Sequence, residues 1–501
     1  MGLSKKERLD LLKSLRVDLF LTFYNLSVII CGLSLNQLVE DKICFNQLKL
    51  DSTTCLNIEN VNGTREADKD YIISTAATFK NYQTLISTLP TVVLIFFIGH
   101  WIDNHPKQLK YILAVPAIGG TIISFILIFI CFKFQIDYRF LLLTDVVRGL
   151  TGGSVVVFTG IYTYITQRTP SRLRTLRFAI LELFKFIPNP ISTYLGGLIL
   201  NSKPWIADQP RNYIGVFFLS ASFSIVGTIW ILLSLNDSDQ ARKLLDLNGR
   251  NDDRSKSNNE VEEKPAETAS KIFDLENVKN MIQTCIKKRE NGFRARIWHS
   301  ILALTFTLLC MSETVIEFPF AQKVYHWDSA YYSRISPIFM ILTAAASSFA
   351  IPVLIRRFSI TDTKMCLLGF VSLFLSLAVR GLWLSPNGYY VSSFAGILSG
   401  LLQISIRAFL ARMIKSDEIA QIYSLLSAIE AFAPLLSSLF YTTIFHATIS
   451  FNPGLVYLIA CAFLIYPFCI IVWLDFTKSV WYNANEEVNI PQTTVYNTIE
   501  S

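Results

Sequence analysis

Apolar residues in this chain come in long blocks, not at the spacing of an amphipathic helix or a half-buried strand. Residues 111–132 and 213–235 hold no charged side chain, and each, coiled as a helix, covers the roughly 30 Å hydrocarbon core of a bilayer. Further blocks of similar length predict twelve spans: 17–38, 73–99, 111–132, 139–163, 176–200 and 213–235, then 297–320, 334–355, 365–384, 389–411, 421–446 and 455–476. A polar stretch divides them six and six. The expected organisation is an amino-terminal segment 1–16, a first six-helix half 17–235, a linker 236–296, a second half 297–476 and a tail 477–501.

Composition turns that pattern into an environment. Of the 501 residues, 52% are hydrophobic and only 17% charged, with a mean hydropathy of +0.41, too apolar for a chain of this size surrounded by water. An all-α protein embedded in a lipid bilayer is expected. Lys and Arg concentrate on one side of the spans, with or without the long linker, which places both termini and the linker in the cytoplasm. The basic start runs into a long apolar block without a small-residue exit site, so no cleaved signal peptide is expected.

The first outer loop, 39–71, carries seven acids, Cys44, Cys55 and the sequon Asn62-Gly63-Thr64. An extracellular or lumenal face permits a Cys44–Cys55 disulfide and glycosylation at Asn62; two free thiols and an unused sequon are the alternative. Nine cysteines without C-x-x-C or His-rich spacing predict no metal site. In the linker, residues 236–268 are too polar to bury a core. Leu275, Val278, Ile282, Cys285 and Ile286 share one helical face ahead of Lys287, Lys288 and Arg289, the pattern of a helix lying on the inner membrane surface.

Candidate chemistry lies in the ionisable residues inside apolar spans: Lys80, Asp145, Arg148, Glu182, Lys185, Glu313, Glu317, Arg407 and Glu430. Facing lipid unpaired, each costs about 2.5–3.5 kcal/mol, so a polar interior is expected. Asp145 with Arg148, and Glu182 with Lys185, stand three apart and can neutralise each other on one helix face. Glu313 and Glu317, one turn apart, repel when both are ionised; one holds a proton unless a cation lies close, or else Glu317 sits at the wet outer end and only Glu313 is buried. Arg407 offers a planar fork for a carboxylate or phosphate, or a lasting ion pair with Glu430. Pro188 and Pro190 are expected to interrupt the fifth helix, and Gly149, Gly152, Gly153 and Gly160 to line the fourth.

Several motifs carry a resemblance. Gly99-His100-Trp101-Ile102-Asp103-Asn104-His105-Pro106-Lys107 is similar to the G-x-W-S-D-x-x-G-R signature of the major facilitator superfamily, keeping Gly99, Trp101 and Asp103 but replacing the serine, second glycine and arginine by Ile102, Pro106 and Lys107. Arg174-Thr175-Leu176-Arg177 leading to Glu182, Ile406-Arg407-Ala408 followed by Glu430, Trp327-Asp328 and Phe451-Asn452-Pro453-Gly454 resemble the proton-coupled folate transporter family within it. The resemblance runs through most of the membrane region and implies a twelve-helix (6+6) major facilitator fold with alternating access. It implies proton coupling at Glu182, an arginine at the substrate and proton site at Arg407, and a gating loop through Gly99, Asp103 and Lys107. The seventh-helix histidine of the family is absent, leaving Glu313 or Glu317 to take its place, and a family cysteine expected near Trp327 is missing, which favours pairing Cys44 with Cys55.

The function expected is symport of a small organic anion, folate-like or muropeptide-like, driven by the proton gradient without a cofactor. Glu182, Glu313 and Glu317 would couple protons; Arg407, Asp145, Arg148 and Glu430 would bind substrate. A facilitator or exchanger of the same fold, and a membrane receptor that does not translocate, are the alternatives. No enzyme motif and no nucleic-acid partner are expected. Tyr496-Asn497-Thr498-Ile499 fits a signal read by sorting adaptors, leaving plasma membrane and lysosomal or endosomal membrane both open.

Overall fold

The computed structural model describes residues 5–60, 65–104, 108–168, 177, 180–181, 183–206, 209–235, 292–358, 360–413 and 419–477. Every regular element among them is helical. The chain forms two compact units, Met1–Asp274 with His326–Ile338, and Leu275–Tyr325 with Phe339–Ser501.

The first unit contains α1 (Lys5–Lys42), α2 (Ser52–Leu56), α3 (Glu66–Asn104), α4 (Leu109–Phe132), α5 (Leu142–Thr151), α6 (Gly153–Arg168), α7 (Pro188–Leu200) and α8 (Tyr213–Ser234). Helix α1 packs along α7 and α8, α4 along α8, and α3 against α5 and α6. Apolar side chains such as Phe20, Leu113, Val157 and Ile231 fill one core cluster, and Ile30, Leu127, Tyr213 and Phe217 another.

The second unit contains α9 (Phe293–Met311), α10 (Thr314–Phe320), α12 (Asp362–Leu382), α13 (Pro386–Ala395), α14 (Gly400–Met413), α15 (Ile419–Thr448) and α16 (Leu455–Phe476), with α11 (Ser329–Phe358) divided between the two units. There α12 packs on α13, α14 and α16, while α9 packs on α14, α15 and α16. Gly369 of α12 lets α14 approach so closely that an added Cβ would lie 2.5 Å from the Leu402 nitrogen.

Among the described residues, seven helical runs are long and apolar enough to cross a membrane: Leu15–Gln47, Leu109–Phe132, Tyr138–Tyr162, Tyr213–Ser234, Phe293–Tyr325, Asp362–Leu382 and Leu455–Phe476. They coincide with the first, third, fourth, sixth, seventh, ninth and twelfth predicted spans; the others fall on α3, α7, α11, α13 with α14, and α15.

Four spans depart from unbroken helices. The fourth breaks between α5 and α6 at Gly152 (φ +75°) and Gly153 (φ +47°), a left-handed backbone that favours glycine. The seventh breaks at Ser312–Glu313 between α9 and α10, and the tenth at a 3₁₀ turn, Gly396–Leu398. Pro188 and Pro190 interrupt the fifth span as expected: helical backbone over 183–186 ends in a turn at Ile187, and the prolines open α7 beyond it. The first helical position needs no N–H partner, so proline fits there without loss.

In the first outer loop, Cys44 and Cys55 are joined in a disulfide with Cα atoms 5.8 Å apart. Asp51 caps α2, accepting from the Thr54 amide at 3.0 Å and pairing with Arg65 at 2.7 Å. Hydrogen bonds from the Thr53 hydroxyl, Arg65 and Thr54 hold its carboxyl well below the usual range. Lys69, 1% exposed, donates to the Glu59 carbonyl at 2.7 Å, and His326 Nδ1 donates to that oxygen at 2.6 Å. The sequon Asn62, the surface helix expected from Leu275, and Tyr496 lie outside the described residues.

Candidate functional site

The break in the seventh span positions a cluster of charged side chains inside the second unit. Glu313 stands at the turn that opens α10, and Glu317 follows one helical turn later. Arg380, in the last turn of α12, reaches both: its Nη1 lies 3.1 Å from Glu313 Oε2 and 3.6 Å from Glu317 Oε1. The side chains of Arg380, Glu317 and Glu313 are 5%, 10% and 17% exposed. Tyr389 of α13 donates to Glu317 Oε1 at 3.1 Å, and Arg380 Nε donates to the Ser392 hydroxyl at 3.3 Å. The guanidinium lies over the Tyr389 and Tyr457 rings, 5.1 and 5.6 Å from their centroids, a contact that steadies a desolvated cation.

Two carboxyls one helical turn apart share one buried guanidinium, and their mutual repulsion when both are ionised is costly where water is scarce. A proton on either one relieves it. Arg380 is thus the close cation that allows Glu313 and Glu317 to coexist. Glu317 does not sit at a wet end with Glu313 alone buried; Glu317 is the less exposed of the two, because α10 turns it towards α12 and α13.

The first unit carries an ion pair of its own. Asp145 of α5 is 1% exposed, and Arg148 Nη1 lies 3.7 Å from its Oδ1. The Arg148 side chain is 31% exposed, which leaves part of its guanidinium open to an anionic group. A 20 Å³ cavity next to Arg148, lined by Tyr24, Ser27, Ser124 and Ser220, has room for about one water.

Two further ion pairs fasten this unit. Arg177 meets Asp18 of α1 through both guanidinium nitrogens, at 2.9 and 2.5 Å, with both side chains fully buried. Arg211 lies 3.4 Å from Asp41, which also accepts from Tyr213 at 2.6 Å and Gln37 at 3.2 Å.

Other residues singled out from the sequence are placed less fully. Glu182 and Lys107 lie outside the described residues, and of Gly99 and Asp103 in α3 and Arg407 in α14 only the backbone is described. Glu430 is partly buried on α15. Sequence reasoning missed Arg380, Asp18 and Asp41. Each lies near an end of its span, where a charged side chain ordinarily reaches water; an arginine two residues before the end of α12 was the available signal.

Comparison with known proteins agrees with this architecture. The family model for the Major Facilitator Superfamily matches residues 70–438. A probable peptidoglycan muropeptide transporter, SLC46, of Drosophila melanogaster is 22% identical over 367 residues, covering 72% of this chain and 65% of that protein's length. The proton-coupled folate transporter of Bos taurus is 20% identical over 430 residues, covering 81% of this chain and 83% of the relative. Among solved structures, a peptide transporter POT in complex with sulfate superimposes with a TM-score of 0.55 at 13% identity, over 92% of this chain and 94% of that one. Its likeness is one of fold. With helices throughout, membrane-length apolar runs and a family model that spans most of its length, the chain belongs to the Major Facilitator Superfamily of membrane transporters.

Proposed function

We propose that this protein is a proton-coupled symporter of a small organic anion, and that Glu313, Glu317 and Arg380 form its proton-handling site. The observation that carries the reading is the unequal cluster itself, two acids within 3.1 and 3.6 Å of one arginine. A proton on one of the two carboxyls relieves their mutual repulsion and its loss restores it, so occupancy follows the pH of whichever side has access. The Arg148 guanidinium beside Asp145 supplies attraction for the substrate's acid group. Relatives named as a proton-coupled folate transporter and a probable muropeptide transporter support both halves of the reading.

Cells expressing the full chain are given labelled folate or muropeptide at about pH 5.5 and about pH 7.4. Greater uptake in acid, with alkalinisation of the medium on adding substrate, is expected. Glu313→Gln and Glu317→Gln should each flatten the pH response. Uptake indifferent to pH, with no alkalinisation, identifies a facilitator and overturns proton coupling.

A further inference from the structure

We infer that the first unit carries a binding site for an anionic glycerophospholipid at the outer edge of α4, apart from the clusters assigned to transport. The site has two parts. Ile122, Phe125, Ile126, Phe129 and Ile130 recur at helical spacing along α4 and, with Leu143 of α5 and its neighbours, wall an apolar groove of about 410 Å³. Phe125 and Phe129 are more than half exposed. At its upper end the groove shares Ile136 with a larger basin of about 1020 Å³, bordered by Asn46, Phe134, Gln135, Gln209 and Lys133.

Depth identifies what fills the groove. From Phe132, the last residue of α4, down to Ile122 is ten residues, or about 15 Å of helix. That is half of a hydrocarbon core of roughly 30 Å, the depth of one leaflet. An acyl chain of the outer leaflet is the apolar ligand available at that depth, and it enters from the end where the basin opens. The basin supplies the headgroup's partners. Lys133 rests over the Phe129 ring, 5.5 Å from the centroid, which holds its ammonium directly above the groove. The nearby acid, Asp137, is engaged by the Arg139 amide at 2.7 Å. Gln209 spends its amide nitrogen on the Cys131 carbonyl at 2.8 Å, and its oxygen, with Ser52, Gln135 and Asn46, gives the basin that Lys133 borders a polar lining. A glycerophospholipid with a net negative headgroup satisfies both parts; a neutral lipid satisfies only the groove.

The full chain is reconstituted in phosphatidylcholine nanodiscs doped with either phosphatidylglycerol or phosphatidylcholine carrying a mid-chain photoreactive group, and labelled peptides are mapped after illumination. Labelling within 122–143 is expected, about fivefold stronger for phosphatidylglycerol, the preference one lysine provides at a membrane surface. Lys133→Gln should bring the two probes level. Leu143→Trp, which adds bulk at a half-exposed position, should abolish labelling by both while the protein remains monodisperse. Equal labelling by the two probes in the unaltered chain, a preference that survives Lys133→Gln, or labelling spread evenly over other helices would each overturn the site.

Discussion

Arg380 holds the second unit's interior together by satisfying two carboxylates at once, so removing it does more than delete one contact. Arg380→Gln removes the guanidinium that Glu313 and Glu317 share, and breaking a buried ion pair from one side costs about 3–5 kcal/mol. A lower melting temperature and loss of uptake are expected for the purified and reconstituted variant. Adding Glu313→Gln to it should recover part of the stability, since the repulsion is then gone, without restoring pH-dependent uptake. No recovery in the double variant would show that Arg380 acts through packing on Tyr389 and Tyr457 alone. At this scale the sequence was readable where partners are close in the chain: Asp145 and Arg148, three apart, do meet, at 3.7 Å. It was silent where they are far apart. Nothing local marks Asp18 as the partner of Arg177, 159 positions away, and a long side chain such as Arg380 near a span end can equally snorkel to water.

Among the elements, helices without internal charge were the legible ones. The predicted span 455–476 matches α16 residue for residue, and 213–235 exceeds α8 by a single residue, because lipid-facing length alone fixes them. The break in the fifth span was legible from Pro188 and Pro190, but those without proline were not, since a hydropathy average passes smoothly over two or three residues whose backbone leaves the helix. Those breaks matter for the site: the turn at Ser312–Glu313 is what brings Glu313 to Arg380. The break at Gly152 is open to a direct test. Gly152→Ala forces a left-handed conformation on a residue with a Cβ, at about 1–2 kcal/mol, and its Cβ would fall 2.1 Å from Val156 Cγ2. Thermal unfolding should register that loss, whereas Gly32→Ala, in α1 with no atom within 4 Å of an added Cβ, should leave stability nearly unchanged. In the outer loop the disulfide joins residues 11 apart, and Cys55→Ser should cost about 2–4 kcal/mol, read as the same kind of shift under non-reducing conditions.

For the molecule as a whole, acid acts on the loop 39–71 through two carboxyls held in opposite directions. Asp51 is held below its ordinary range by hydrogen bonds from Thr53, Arg65 and Thr54. Its contribution to stability is therefore full above the unfolded value near 3.9 and is lost only as pH falls below it. Glu59, 4% exposed, is pushed the other way, chiefly by burial and secondarily by the Asp328 charge, against the pull of its own backbone amide, Arg211 and Lys69. A carboxyl that binds its proton more tightly folded than unfolded adds stability as pH falls through its raised value, and the gain is complete below the unfolded value near 4.3. As pH falls through Glu59's raised value, Glu59 takes up its proton before Asp51 can, so acidification should tighten the loop that carries the disulfide instead of loosening it. The expected result is a higher melting temperature at about pH 5.5 than at about pH 7.4 for the reconstituted protein. Glu59→Gln should shrink that difference, and Asp51→Asn should lower the melting temperature alike at both. A loop built this way keeps its Asp51 cap and gains the proton of its buried Glu59 on acidification, the condition under which Glu313 and Glu317 are proposed to take up theirs, so it holds its structure where the proposed coupling would operate.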